Sequence, residues 1–246
     1  ARGTGNAEIT GVTFDSREVR EGSLFVCKGE HFKPEYALNA IQAGAAVCIS
    51  EQDYGIKGAP MILVNDIRYA MPVISMTFYG NLSEHIKMVG ITGTKGKTST
   101  TYFVRSILNA YEASKGGKDT AFCSGIDYYD GETLTESHLT TPENMQLFGY
   151  MNKAVENGCE FMVMEVSSQA LKYGRVDGVD YSVGCLLNIG SDHISPIEHP
   201  DFEDYFASKL KIFERCRTAC VNLDCDHADE VAKAAAACER VITFSS

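Results

Sequence analysis

The chain has 246 residues, 44% hydrophobic and 10% aromatic, and a formal net charge of −11. That length can bury one large core or two medium ones. The acidic balance argues against a nucleic-acid partner, because polyanions select positive surfaces, although a local nest of backbone amides can still take a small phosphate ligand.

In chain order, residues 1–22 are polar and glycine-containing around Asp15-Ser16-Arg17. Leu24 to Cys27 reads as a short strand. Glu35 to Ala43 reads as a helix, with Pro34 suited to its first turn and Gly44 to its end. Ala45 to Ile49 and Met61 to Val64 read as two more strands. Asp66 can cap a helix running to about Tyr79, and Pro72 inside it predicts an early kink or a later start. Gly80-Asn81 breaks the pattern. This alternation predicts a small N-terminal α/β domain over residues 1–84.

Residues 85–246 are expected to form a second domain. Ile86 to Ile91 is an apolar run that reads as a buried strand. Thr92-Gly93-Thr94-Lys95-Gly96-Lys97-Thr98 follows, and Ser99 to Tyr111 reads as a helix with Phe103, Ile107 and Leu108 on one face. Strand, glycine turn and helix are the context of a phosphate loop, in which Lys97 sits on the β/γ-phosphates and the Thr98 hydroxyl on Mg²⁺. The common motif has a glycine five residues before Gly96, where this chain has Ile91. The turn is therefore either a shortened phosphate loop or a chance match.

Thr120 to Gly125 reads as a strand and Asp130-Gly131 as a hairpin tip. Thr141 and Pro142 can cap and start a helix to Glu156, which Gly158 ends. Phe161 to Met164 is a buried strand ending at Glu165, and Tyr181 to Leu187 is another, ending at Asn188. Phe202 to Phe213 reads as a helix carrying Lys209. Ala219 to Asn222, Asp226 to Cys238 and Val241 to Phe244 read as strand, helix and strand. No helix follows the last strand, which suggests truncation, since such domains cover both sheet faces. Nine cysteines occur without a CxxC pair, which predicts reduced core thiols and no zinc site. The sequence has no signal peptide or long apolar span, so a cytoplasmic protein without membrane insertion is expected.

Several residues have more than one reading. Glu165, at a strand's carboxyl end beside the loop, suits a Mg²⁺ ligand or is a solvated acid. His193 is a metal ligand or a loop histidine. Ser167-Ser168 either donate to a substrate or cap the turn. Lys209, between Phe206 and Phe213, reads as a snorkelling lysine.

Segment 88–214 resembles the ATP-binding central domain of the Mur ligase family, which builds the peptide of cell-wall precursors. Thr92 to Thr98 is similar to that family's own phosphate-loop form. Thr140-Thr141-Pro142, Glu165-Val166-Ser167-Ser168, Arg175, Asn188 and Asp192-His193 resemble the branch that adds the third residue to UDP-N-acetylmuramoyl-L-alanyl-D-glutamate. Asp15-Ser16-Arg17, with Val19, Gly22, Leu24 and Phe25, resembles the branch's uridine-nucleotide-binding segment.

The resemblance implies an α/β fold: a small UDP-substrate-binding domain, then a phosphate-loop domain with a mostly parallel sheet, here incomplete. It implies an ATP- and Mg²⁺-dependent ligase acting through an acyl-phosphate. Gly93, Thr94, Lys95, Gly96, Lys97, Thr98 and Ser99 would bind ATP. Thr98, Glu165, His193 and Lys209, the last as a carbamate, would hold metal. Lys97, Glu165, His193 and Lys209 would be catalytic. Ser16, Arg17, Thr140, Thr141, Ser167, Gln169 and Arg175 would hold the UDP-sugar dipeptide. Lys95 stands where asparagine is frequent, and Ile194-Ser195 replaces a common leucine–aspartate.

The partners implied are that dipeptide and an incoming amino acid, L-lysine or meso-diaminopimelate, with a monomer expected. Family members are roughly twice this length, so the chain alone is expected to bind rather than turn over. A ligase of another branch, a non-catalytic UDP-muramoyl-peptide-binding module and an unrelated phosphate-loop ATPase are the competing readings.

Overall fold

Short apolar runs separated by glycine and polar turns become two sheets of mainly parallel strands. The computed structural model describes residues 8–29, 32–190, 194–195 and 198–245. The chain divides into two compact units, the first ending at Gly80 and taking in Asn144–Gln146, the second holding the remainder.

In the first unit, β1 (Gly11–Thr13), β2 (Ser23–Val26), β3 (Val47–Ser50) and β4 (Met61–Leu63) form a parallel four-stranded sheet in that order. The edge strand β1 was not expected; three residues in a polar stretch carry too little alternation to be read. Helices α1 (Pro34–Gln42) and α2 (Ile67–Tyr79) connect and close the unit. Phe25, Ala37, Ala40, Cys48 and Met61 form its core. Gly44 ends α1 with φ 102°, and a Cβ there would lie 2.8 Å from the Glu21 Cα, so only glycine fits the turn. Asp66 caps α2, its Oδ1 accepting from the N–H groups of Arg68 and Tyr69 at 2.8 and 3.3 Å. The helix starts at that cap and runs through the buried Pro72, so of the two outcomes expected from the proline, an early kink or a later start, the later start does not occur. The cap fixes the start, and a proline in the second turn removes a single i→i−4 bond.

The second unit is built on an eight-stranded mixed sheet in the order β12-β11-β10-β5-β9-β6-β7-β8. These are β5 (Lys87–Thr92), β6 (Ala121–Cys123), β7 (Asp127–Tyr129), β8 (Leu134–Glu136), β9 (Phe161–Glu165), β10 (Tyr181–Leu186), β11 (Cys216–Asn222) and β12 (Arg240–Phe244). Six are parallel, while β7 and β8 run antiparallel as a hairpin tipped by Asp130-Gly131. Helices α3 (Lys97–Ser114), α4 (Asn144–Glu156), α5 (Ser168–Lys172), α6 (Phe202–Leu210) and α7 (Ala228–Ala235) connect the strands. Residues 211–213 form a separate 3-10 turn, so the single helix expected to Phe213 ends at Leu210.

β5 lies between β9 and β10, and the chain leaves it toward one side and returns to the other. A crevice therefore opens at its carboxyl end, where α/β sheets bind ligands. Gly90 admits the Tyr181 ring from β10, for a Cβ there would lie 2.6 Å from it.

The face of α3 differs from the expected one. Tyr102, Val104 and Leu108 pack on Ile91, Phe122 and Val163, while Phe103 and Ile107 are 69% and 68% exposed. The inner side also carries Arg105, whose guanidinium lies 4.1 Å from the Phe122 ring centroid. A stacked arginine thus fills a place that apolar periodicity assigns elsewhere. All nine cysteines are free, and five are buried, in accord with core thiols.

Candidate active site

The turn between β5 and α3 carries the site. Gly93 is buried, with φ 155°, and Gly96 has φ 82° and leads into α3 without a side-chain cap. The cap residue therefore offers no side-chain oxygen to the α3 N-terminus, the kind of helix end that suits an anion. Asn188, just past β10, holds the turn from across the crevice. Its Oδ1 accepts from the Lys95 N–H at 2.9 Å, and its Nδ2 donates to the Lys95 carbonyl at 3.1 Å. Thr94 is held as well: its Oγ1 accepts from the Gly190 N–H at 3.0 Å and lies 2.9 Å from the Tyr205 hydroxyl. Ser99 is exposed on the first turn of α3.

Two lysines meet the turn. Lys97 Nζ donates to the Gly93 and Thr94 carbonyls at 3.0 and 3.3 Å. Lys209 Nζ donates to the same Gly93 carbonyl at 2.9 Å and lies 4.7 Å from the Tyr205 ring centroid. Lys209 is 1% exposed, so it does not snorkel. Its stem runs inward from α6, and the loop carbonyl receives its head. The two Nζ atoms therefore share one carbonyl oxygen.

Glu165, at the end of β9, is 1% exposed. Its Oε2 accepts from the Thr98 hydroxyl at 3.0 Å, and its Oε1 from the Gly125 N–H at 2.8 Å. A buried carboxylate beside a hydroxyl is an oxygen donor set suited to a hard cation such as Mg²⁺. His193 lies outside the described residues.

Thr141 is fully buried and is not a helix cap. Its hydroxyl donates to the Glu165 carbonyl at 2.9 Å and accepts from the Ser167 N–H at 3.0 Å. The cap residue of α4 is Glu143, which makes no side-chain capping bond; its carboxylate pairs with Arg175 at 3.1 Å. Tertiary demand for Thr141 at the strand end outweighs its capping propensity, and the helix starts later. Ser167 caps α5, its Oγ accepting from the Ala170 N–H at 3.1 Å, the second of its two sequence readings. Thr140 borders the same crevice, with its Oγ1 3.5 Å from where a Cβ on Gly125 would stand. Gln169 Nε2 donates to Glu198 Oε1 at 3.1 Å.

Ser16 and Arg17 belong to the first unit, in a turn after β1. Asp15 Oδ1 accepts from the Arg17 N–H at 2.9 Å, and the Arg17 guanidinium folds onto the same carboxylate. That contact holds the Asp15 carboxyl below its ordinary value. Ser16 is half-buried and Arg17 exposed.

Sequence reasoning missed Gly125, Tyr205 and His199. Gly125 contributes only its amide, and a lone histidine in a polar loop has no periodicity to reveal it. His199 is fully buried, with Nε2 3.0 Å from Ser168 Oγ and Nδ1 2.5 Å from Asp204 Oδ2.

Comparisons with known proteins bear on the family to which the chain belongs. A UDP-N-acetylmuramoyl-L-alanyl-D-glutamate–L-lysine ligase of Streptococcus pneumoniae serotype 4 is 48% identical over 216 residues, covering 88% of this chain and 44% of that protein. A UDP-N-acetylmuramyl-tripeptide synthetase of Bifidobacterium longum is 45% identical over 222 residues, covering 90% and 42%. The chain thus spans less than half the length of these curated relatives. A solved UDP-N-acetylmuramoyl-L-alanyl-D-glutamate–2,6-diaminopimelate ligase shares the fold, with TM-score 0.77, 24% identity, and coverage of 96% of this chain and 48% of that one. The family model for the Mur ligase middle domain matches residues 91–246, the span holding the glycine turn, Glu165 and Lys209, and the chain therefore belongs to the Mur ligase family.

Proposed function

We propose that this chain carries the ATP site and the UDP-muramoyl-peptide site of a ligase. The ligase joins an amino acid, L-lysine or meso-diaminopimelate, to UDP-N-acetylmuramoyl-L-alanyl-D-glutamate. The observation that carries the reading is the convergence on one turn of Lys97, Lys209 and the Thr98–Glu165 pair. Relatives at 44–48% identity bear names of this activity, most of them naming L-lysine.

In this reading the turn's amides and the α3 N-terminus receive the ATP phosphates. Lys97 leaves the Gly93 carbonyl for the β/γ-phosphates. Thr98, Glu165 and His193 hold Mg²⁺, which neutralises developing phosphoryl charge when bound. Lys209 takes up carbon dioxide: the ammonium loses one proton, its nitrogen bonds to the carbon of carbon dioxide, a second proton leaves, and the cation becomes a carbamate anion. That change removes the pairing of two ammonium groups on one oxygen and adds an oxygen donor for metal.

The D-glutamyl carboxylate attacks the γ-phosphorus and ADP leaves, giving an acyl-phosphate. The incoming amine then displaces phosphate through a tetrahedral intermediate. Thr140, Thr141, Ser167, Gln169 and Arg175 are the residues of the second unit assigned to the UDP-sugar dipeptide, and Ser16 and Arg17 are, in the first unit taken by itself, a uridine-nucleotide-binding segment. ATP and a UDP-sugar as substrates place the reaction in the cytoplasm, carried out by a monomer. No helix among the described residues is long and apolar enough to cross a membrane.

Calorimetry tests the reading with Mg–AMP-PNP, with UDP-N-acetylmuramoyl-L-alanyl-D-glutamate and with its tripeptide form. Binding of the nucleotide and preferential binding of the dipeptide are expected. Preference for the tripeptide moves the chain to the branch that adds D-alanyl-D-alanine. A folded chain that binds neither nucleotide nor UDP-peptide overturns the proposal.

A further inference from the structure

His199 is a buried polar residue that the chemistry above does not use. It sits between two elements that the chemistry needs. Ser168, at the start of α5, follows the strand end that supplies Glu165. Asp204, in the first turn of α6, lies five residues before Lys209. His199 bridges them, with Nε2 3.0 Å from Ser168 Oγ and Nδ1 2.5 Å from Asp204 Oδ2. Asp204 also receives Lys172 of α5 at 2.7 Å. The His199 ring meets the Tyr205 ring edge-on, with centroids 5.2 Å apart and planes at 73°. Tyr205 in turn reaches Thr94 of the glycine turn at 2.9 Å, beneath the ammonium of Lys209.

We propose that His199 is a positioning residue: by tying Ser168 to Asp204 it docks α6 on α5 and so sets Tyr205 and Lys209 against the glycine turn. Its consequence for nucleotide binding rests on the ligase reading above; the docking itself does not. A bidentate ring between the buried Ser168 and the half-buried Asp204 suits this task. Each partner loses its hydrogen bond if the ring is removed, and a rigid side chain fixes the distance between the helices. Solvent exposure does not suit the trio to act as a nucleophile and base, since Ser168 is 4% and His199 0% exposed.

The test reads Lys209 directly. The chain is treated with trinitrobenzenesulfonate, and lysine modification is quantified by peptide mass mapping, with the exposed Lys233 as reference. In the wild type Lys209 reacts far more slowly than Lys233. His199→Ala is expected to raise the Lys209 rate at least about tenfold, equivalent to about 1.4 kcal/mol of weakened docking. His199→Asn keeps a donor for Asp204 and recovers part of the protection. Ser168→Ala deletes one hydroxyl and raises the rate about threefold, and it carries the test if His199→Ala does not fold.

Gly90→Ala strains the sheet at the Tyr181 ring and controls for general loss of stability, leaving Lys209 protected. Unchanged Lys209 rates in His199→Ala and Ser168→Ala overturn the proposal, as does an equal rise in Gly90→Ala. The same variants are titrated with Mg–AMP-PNP, whose Kd should rise at least about tenfold in His199→Ala. Failure of the wild type to bind either nucleotide or UDP-peptide overturns the ligase reading instead, and the Lys209 rates still decide the role of His199.

Discussion

Asn188→Ala tests how the glycine turn is held in shape. The side chain makes two hydrogen bonds to one residue, receiving the Lys95 N–H at 2.9 Å and donating to the Lys95 carbonyl at 3.1 Å. A neutral hydrogen bond contributes about 0.5–1.5 kcal/mol net, so the pair is worth about 1–3 kcal/mol. Asn188 is half-buried and Lys95 exposed, so water replaces part of the loss and about 1–2 kcal/mol is the expectation. That energy fixes a loop rather than a core, and overall stability should change little.

A ligand that needs the fixed loop must then supply the ordering itself. Its Kd rises by the corresponding factor, about 5- to 30-fold. The assay is calorimetric titration with Mg–AMP-PNP of the wild type, Asn188→Ala and Asn188→Asp. The aspartate keeps the acceptor for the Lys95 N–H but turns a second oxygen toward the Lys95 carbonyl, and it brings negative charge toward the phosphates. It should therefore bind at least as weakly as the alanine variant. A Kd within about twofold of wild type for Asn188→Ala would refute the claim that this amide holds the loop in its binding form.

Three further outcomes are expected. Thr141→Val keeps the shape but strips the Glu165 carbonyl and the Ser167 N–H of one buried partner; a loss of about 2 kcal/mol should appear as a lower urea midpoint at unchanged m-value. Glu165→Gln keeps hydrogen-bonding capacity and removes the charge, so nucleotide affinity with and without Mg²⁺ should converge to within about twofold. The Asp204 carboxyl is held below its ordinary 3.8 by Lys172 first and His199 second. Its stabilisation is thus complete above that value and lost as pH falls through the lower folded one. Asp204→Asn should be less stable than wild type at neutral pH, and the gap should close in urea melts taken in increasingly strong acid.

Much of the fold could be read because its signals are local. The Asp66 cap, the stops at Gly44 and Gly158, and the Asp130-Gly131 tip each act within a few residues, and each appears as expected. Misreadings arise where a distant partner decides. Thr141 has the right residue type and position for a cap, yet the Ser167 amide and Glu165 carbonyl claim its hydroxyl. Periodicity selects Phe103 and Ile107 for the buried side of α3, yet Arg105 packs there on Phe122. Local rules describe what a side chain can do alone, and the sheet chooses among those options.

Lys209 carries that reasoning to the site itself. A lysine between Phe206 and Phe213 on a helix reads as snorkelling, because burying an ammonium is costly unless something receives it. The receiver is the Gly93 carbonyl, 116 residues away in the chain and already bonded to Lys97. No window of sequence contains both partners. Lys97 and Lys209 both donate to this one oxygen, so negative charge brought beside them would meet two donors at once. A triphosphate would bring such charge from the crevice, and a carbamate on Lys209 would supply it from within. Both would act on the same atoms, so the glycine turn and α6 should respond together. A change in Lys209 protection on nucleotide binding would be the direct sign of that coupling.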